Sequence, residues 1–481
     1  MIAKLIQTAR LSARREELAG SSRKDSTSGT ASMSSTSRVA IAKSHTSPST
    51  DTTLATVNQS SYGEDLLFRI TIIESGDTQY LGIIENVSVE TEVVRPARDM
   101  PLREVYPTLL TIRNLLSRRG GSPPSAVRNA PRPEANVYLA SEVDLARFFP
   151  PRVSAPSAFL GRLRDTDYRL PLNSSILSFA NTGILAGIGH GKSHLAAQLA
   201  LQLHLAGRKV IIVDPTGEWP SLLQEQRDMS DKLGRRIAMT TLRYALDRDG
   251  LGSFVQRATD EFHSGKLTVI DASLLQHQES AEDKIRARCD LVYALQQRLM
   301  TEATQHYDRT KSTYAYNGCM FLEEAHEFIP SSPNFEIQKK LNVLFSISTK
   351  EYRKYGLGLV FIDQSLRGIH EDLQVQTYFL GTTATPGDLE FLRTRLGAHV
   401  ADAVQRTRRE GLTSSWVVYG LATPFPGIPW EIMSFGKVEE ALDHSTVAGI
   451  TNGSTDGETL GGLSVLGSSF AGESRSAQIP K

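Results

Sequence analysis

The run Ala186-Gly187-Ile188-Gly189-His190-Gly191-Lys192-Ser193 has the residue types and spacing of a phosphate-binding loop. It follows a short apolar segment, Gly183-Ile184-Leu185, and opens a helical pattern, which is the context such a loop needs. Its glycines let backbone N–H groups close around a β-phosphate, and a helix N-terminus adds positive potential. Gly187, Gly189, His190 and Gly191 are the candidate loop contacts, with His194 just beyond them. Lys192 would neutralise β- and γ-phosphate charge, and Ser193 Oγ would ligate Mg²⁺. The pattern ordinarily begins with glycine. Ala186 stands there instead, and its methyl group is tolerable where φ is negative.

A second constellation is Gly318-Cys319-Met320-Phe321-Leu322-Glu323-Glu324-Ala325-His326. An apolar strand that ends in two acids describes a buried strand leading to a metal site. Glu323 would hold the Mg²⁺ shell, and Glu324 would orient and activate an attacking water. Two glutamates after a strand are usually a solvated helix start. The phosphate loop upstream turns the balance towards catalysis, and the second acid favours hydrolysis over phosphoryl transfer, which must exclude water. Asp214, in Asp214-Pro215-Thr216-Gly217-Glu218-Trp219, is either a carboxylate beside the nucleotide or the start of a Pro/Gly turn. Gln364 is placed to sense a γ-phosphate from within the chain. Arg353 or Lys354 could reach a neighbour's nucleotide as an arginine finger, against the plainer reading of charge at a helix C-terminus. His190, His326, His370 and His399 show no metal-ligand spacing, and structural or supporting roles are expected of them.

The elements that would position these residues change character along the chain. Up to about residue 62 the sequence is a Ser/Thr-rich arm with too few large apolar residues to fold, and 439–481 is a similar tail. Residues 63–175 read as short strands: Leu66 to Ile73, Tyr80 to Ile84, Val87 to Val89, Val137 to Ala140 and the segment from Phe159 to Leu172. A small β-barrel is the expected solution for such short strands, with another small β-module as the alternative that sequence alone does not separate from it. Residues 176–438 alternate apolar strands with helices, including Lys192 to Ala206, which indicates a parallel sheet covered on both faces. A largely helical insertion is expected at about 219–310.

Composition narrows the function classes. The 53 Lys+Arg residues balance 53 Asp+Glu, so contact with a polyanion needs a local patch or a pore lined by several subunits. Candidate basic positions are Lys339, Lys340, Arg367, Arg406, Arg408 and Arg409. The two cysteines, Cys289 and Cys319, are too few for a disulfide framework or a four-thiolate zinc site, and they fit a reducing, cytoplasmic setting as buried apolar side chains. No apolar run reaches bilayer length, so no membrane partner is expected. The basic N-terminus has some transit-peptide character, with a short amphipathic helix leading into the arm as the preferred reading.

The order of the motifs resembles the HerA branch of the HerA/FtsK ATPases. It is carried by the phosphate loop, Val213-Asp214-Pro215-Thr216-Gly217-Glu218, Val269-Ile270-Asp271, Leu322-Glu323-Glu324-Ala325-His326, Arg353-Lys354-Tyr355-Gly356-Leu357-Gly358-Leu359-Val360 and Gln364. It spans roughly 63–438. The resemblance implies a RecA-like P-loop core that uses ATP and Mg²⁺, preceded by a HAS-barrel-like domain. It also implies a homo-hexameric ring translocating on double-stranded DNA as a helicase, beside a nuclease partner in DNA repair or defence. A nucleotide-gated scaffold for an effector and a secretion or conjugation coupling ATPase are the alternatives. Ala186, the long arm and Asp363 before Gln364 depart from the family pattern.

Overall fold

The computed structural model describes residues 40–45, 50–57, 66–89, 92–94, 103–105, 107–149, 157–224, 237–244, 250–273, 280–382, 385–409 and 414–436. Short apolar runs without polar alternation are satisfied only when both faces are covered. Lys209–Asp214, Leu267–Asp271, Gly318–Leu322 and Leu357–Asp363 are such runs and are buried almost throughout. They form the centre of a ten-stranded sheet. Its parallel part runs in the order Thr377–Leu380, Thr182–Leu185, Leu357–Asp363, Gly318–Leu322, Lys209–Asp214, Leu267–Asp271, Met239–Arg243. Beyond Thr377–Leu380, the strands Ser415–Gly420, Trp430–Ser434 and Gly161–Leu163 continue antiparallel, so the sheet is mixed rather than wholly parallel. Successive side chains serve opposite faces: Val210 and Ile212 join one core, Ile211 and Val213 the other.

Register decides where the chemistry falls. Leu185 lies opposite both Asp363 and Leu380, Val213 opposite Leu322, and Asp214 opposite Asp271. The strand C-termini are therefore level, and the loops leaving them share one crevice, where ligands bind in open α/β sheets. The helix that follows the phosphate loop, Lys192–Leu205, is buried around much of its girth. Its polar positions are satisfied by backbone: Gln202 accepts from Phe159 N–H and donates to the Phe159 carbonyl, both at 2.7 Å, and Gln198 donates to the Phe435 carbonyl at 2.9 Å. These bonds fix the segment after Ser157 to the domain of the large sheet. The stretch from Phe159 to Leu172 thus serves the large sheet, and the barrel does not include it.

The barrel itself is closed, six-stranded and antiparallel: Ala42–Ser44, Thr52–Val57, Thr108–Arg119, Thr78–Val89, Ile70–Ser75, Asn136–Leu139. Closure removes the unpaired edges that short strands would otherwise expose. Two of its strands come from the stretch that composition assigns to the arm. There the inward positions are Thr53, Ala55 and Val57, and the Thr53 hydroxyl donates to Asn114 Oδ1 at 3.1 Å. Small inward residues with one satisfied hydroxyl need little bulk to fold, so Ser/Thr richness misleads here. Residues 1–39 and the tail 439–481 lie outside the described residues. The strand expected from Leu66 starts at Ile70, because Phe68 has φ 65° and turns the chain. The two segments at 80–89 form one strand with irregular register. Within 219–310, Leu267–Asp271 is the strand that its apolar run indicates, and Met239–Arg243 adds a second strand of the main sheet to an otherwise largely helical stretch. Ile72 and Leu81 face away from the barrel interior and join the core that also holds Phe149 and Trp430.

Candidate active site

At the C-terminal edge the phosphate loop turns sharply into its helix. Gly189 and Gly191 adopt φ of 76° and 78°, which side chains with a Cβ rarely accept. Ala186 is buried and is not among the residues of positive φ, so its methyl group is tolerated locally. Space for that methyl comes from Gly381: a Cβ there would lie 2.6 Å from Ala186 Cβ. Gly187 is tied to the adjacent strand end through its N–H and the Thr382 carbonyl at 2.9 Å. Lys192 is buried and donates to the Gly187 carbonyl at 3.3 Å, which lays its ammonium across the loop. His190 Nδ1–H donates to the Ile188 carbonyl at 3.0 Å within the loop. His194 is engaged by Gln198 at 2.9 Å, one turn along the helix, so its ring is held along the helix.

The acid pair meets this loop across 130 residues. Ser193 Oγ donates to Glu323 Oε1 at 2.9 Å, and Trp219 Nε1 donates to Glu323 Oε2 at 3.1 Å. Burial pushes the Glu323 carboxyl up to about 7. The two donors oppose that shift, while the charges of Glu324 and Asp214 add to it. A hydroxyl and a buried carboxylate side by side, with Glu324 near, form an oxygen donor set that suits a hard cation such as Mg²⁺.

Asp214 resolves towards its structural reading. Oδ1 accepts from Thr216 N and Oγ and from Gly217 N, and Oδ2 accepts from Trp219 N–H at 2.9 Å. The carboxylate is fully buried and spent on its own loop. Its contribution is to place the Trp219 indole over Glu323, a role that the sequence does not announce.

Glu324 sits at φ 49°, ψ 54°, a left-handed conformation that costs a non-glycine residue on the order of 1–2 kcal/mol. The turn is held by Asp363, whose Oδ2 accepts the His326 N–H at 2.6 Å and the His326 ring Nδ1 at 3.0 Å. Oδ1 of Asp363 takes the N–H groups of Gln364 at 2.7 Å and Ser365 at 3.2 Å. The hydrogen bond to Asp363 raises the His326 pKa, against the opposing effect of burial. Gln364 Nε2 donates to Glu324 Oε1 and Oε2 at 3.2 and 3.3 Å. Asp363 is thus the anchor that links the second acid's turn to the strand before Gln364. Sequence offered no signal for this pairing across 37 residues.

Arg353 is elsewhere. It precedes Leu357–Asp363, at the opposite end of the sheet from the crevice, with its guanidinium 5.8 Å from the Phe179 ring centre. At ~3.3 Å per residue that strand alone separates it from its own Gln364 by about 20 Å. Of the basic candidates, Arg406 is buried and bound to Glu431 at 2.7 Å, which removes it from any outer surface. Lys339, Lys340 and Arg367 are exposed; the side chains of Arg408 and Arg409 lie outside what is described. Cys289 and Cys319 are buried, and burial pushes both thiols up, Cys289 to about 12.

A helix N-terminus with a lysine laid across its loop, facing a hydroxyl–carboxylate pair, is built to take a nucleoside triphosphate. Together with the RecA-like sheet it places the chain among the P-loop ATPases. Within that class, residues 158–342 match the family described as helicase HerA, central domain. No curated protein matches the sequence. Among solved structures, VirB4 of Thermoanaerobacter pseudethanolicus is similar over 59% of this chain and 98% of that one, at 16% identity and TM-score 0.38. The genome packaging NTPase B204 of Sulfolobus turreted icosahedral virus 2, in complex with AMPPCP, covers 50% of this chain and 92% of its own, at 12% identity and TM-score 0.31. The pCW3 conjugation coupling protein TcpA covers 76% and 87%, at 10% identity and TM-score 0.32. Among the described residues no helix is long and apolar enough to cross a membrane.

Proposed function

We propose that the chain is the subunit of a homo-hexameric, Mg²⁺-dependent ATP motor that moves on double-stranded DNA in the cytoplasm, with a nuclease as its working partner. The observation that carries the ring is the division of the site between the two edges of the sheet. The phosphate loop, Glu323, Glu324 and Gln364 share one crevice, whereas Arg353 stands at the other edge. An arginine so placed meets a γ-phosphate only in a neighbouring subunit.

In this reading Lys192 and the loop N–H groups bind the β- and γ-phosphates, and Ser193 and Glu323 hold the cation. Mg²⁺ when bound supplies charge neutralisation at the phosphate oxygens. Glu324 takes the proton of the attacking water, held in place by Gln364 until the γ-phosphate competes for the same amide. DNA contacts go to phosphates through exposed basic side chains such as Lys339, Lys340 and Arg367, repeated around the ring, so binding is sequence-independent.

Mixing Arg353→Ala with Lys192→Ala subunits tests the ring: one supplies the loop, the other the finger, and turnover returns in mixed rings. Failure of verified mixed rings to recover activity removes Arg353 from the mechanism. Duplex DNA is then titrated against the ring with a nonhydrolysable ATP analogue at two salt concentrations. The motor reading expects binding that weakens steeply with salt and stimulates hydrolysis. A verified ring that binds no DNA leaves the nucleotide-gated scaffold in its place.

A further inference from the structure

The edge of the sheet opposite the nucleotide crevice carries a second polar cavity, of about 370 Å³. Its floor is Lys209, the first residue of Lys209–Asp214, and Tyr316, just before Gly318–Leu322. Its wall is a stripe of the helix Ala281–Thr310, where Arg298, Glu302, His306 and Arg309 recur at three- and four-residue spacing and so share a face. Lys209 Nζ lies 5.1 Å from the Tyr316 ring centre and 3.4 Å from His263 Nδ1.

The charges in this cavity do not balance. Glu302 is its one carboxylate, and it is already committed to Arg298, to His263 Nε2 at 2.7 Å and to the Tyr316 hydroxyl at 3.2 Å. Among the described residues neither Lys209 nor Arg309 has a carboxylate within ion-pair distance. Burial holds the Lys209 ammonium below its ordinary value, with Glu302 only partly opposing. His306 is also held down, by burial first and then by the positive charges of Lys209, Arg309 and His263. The groups repel one another across open space, so a multiply charged anion between them would gain from every one. Tyr316 and His306, with ring centres 6.3 Å apart, add an aromatic side to the cationic one.

We propose that this cavity binds a phosphate-bearing small molecule of up to nucleotide size, at a site separate from the phosphate loop. Two unpaired cations match a dianionic phosphate group, and the volume lies in the range of small-molecule pockets, roughly 300–1,000 Å³, well above what a lone phosphate fills. The strand Lys209–Asp214 sets the cavity about 17 Å from the crevice, too far for one nucleotide to occupy both. The inference is independent of the motor reading, because it concerns a cavity that the hydrolytic site does not use.

The test is calorimetric titration of the full-length protein with pyrophosphate and, separately, with AMP. The phosphate loop is first saturated with a nonhydrolysable ATP analogue and Mg²⁺. A binding event persists under these conditions. In Lys209→Gln and in Arg309→Gln it weakens at least tenfold, about 1.4 kcal/mol each, while loop occupancy and ATP turnover stay at the wild-type level. Arg309 is exposed, so its variant keeps the test clear of any folding defect. Absence of a second event with either probe overturns the proposal, as does unchanged affinity in both variants. A site that takes only duplex DNA, with neither small probe bound, likewise overturns it and makes the cavity part of a nucleic-acid path.

Discussion

Trp219→Phe removes one N–H donor from Glu323, the proposed cation ligand, and keeps an aromatic ring in place. The indole is fully buried, 3.1 Å from Glu323 Oε2, while Ser193 secures Oε1. A hydrogen bond to a charged acceptor contributes about 1.5–3 kcal/mol, a factor of roughly ten to a hundred or more in an equilibrium. It acts against burial, which pushes Glu323 up to about 7. Without the donor the carboxyl keeps its proton to higher pH, and a cation must displace that proton to bind. The Mg²⁺ concentration for half-maximal ATP hydrolysis therefore rises about tenfold or more near neutral pH, in line with the usual effect of losing a ligand's supporting hydrogen bond. The shift shrinks in alkaline buffer, where the carboxyl is ionised in either protein. The assay is phosphate release against Mg²⁺ at two pH values, with thermal melting to show that the smaller ring has cost only packing. An unchanged Mg²⁺ requirement at both pH values, in a folded variant, would refute the assignment of Glu323 to the cation.

Three further outcomes follow from the same geometry. Glu324→Gln retains ATP binding and loses turnover by about a hundredfold or more, because an amide cannot take the proton of water; rapid turnover in single-cycle measurements would overturn that role. Asp363→Ala strips the acceptor from four donors around the Glu324 turn, so kcat falls with little change in KM for ATP and the melting temperature drops, while Asp363→Asn recovers part of both. Equal damage in the two variants would show that the acceptor pattern is irrelevant. Gly381→Ala drives a Cβ to 2.6 Å from that of Ala186 and weakens nucleotide binding, and adding Ala186→Gly restores it; no recovery in the double variant would separate the two positions.

What the sequence discloses depends on whether a residue's partner is near it in the chain. The phosphate loop is a local device, with glycines, lysine and serine in eight consecutive positions, and its helix starts where the pattern says. The acid pair is local too. Trp219 acts on Glu323 from 104 residues away and Asp363 on His326 from 37, and neither has a signature apart from the fold. Asp214 shows the converse. A carboxylate at a strand C-terminus looks like a nucleotide contact, yet its four hydrogen bonds close its own loop. The barrel's first strands escaped for a different reason. Thr53, Ala55 and Val57 alternate inward, but they lie within a stretch whose average composition is that of a disordered arm. The antiparallel side of the sheet was invisible because apolar runs report burial and say nothing of strand direction.

The strand Leu357–Asp363 gives these separate features a common mechanical frame. Arg353 precedes one end of it, and Asp363 and Gln364 stand at the other. All seven of its residues are buried, between Thr182–Leu185 on one side and Gly318–Leu322 on the other, so it cannot stretch or change register without breaking the sheet. The turn before it gives no slack either. Gly356 has φ 86°, and a Cβ there would lie 2.5 Å from the Tyr314 backbone, so the chain is pressed against a residue whose ring stacks on Phe179 at 4.2 Å. Arg353 lies against that same Phe179. In the proposed ring, a neighbour's γ-phosphate that draws on Arg353 acts on a segment packed directly against this strand. A shift passed into the strand would move Asp363 and Gln364 with it, because nothing along the seven residues can absorb the displacement. Gln364 holds Glu324, and Asp363 holds the turn on which Glu324 sits. In that proposed ring, nucleotide state in one subunit would thus have a short, stiff route to Glu324 in the next, without a hinge between them.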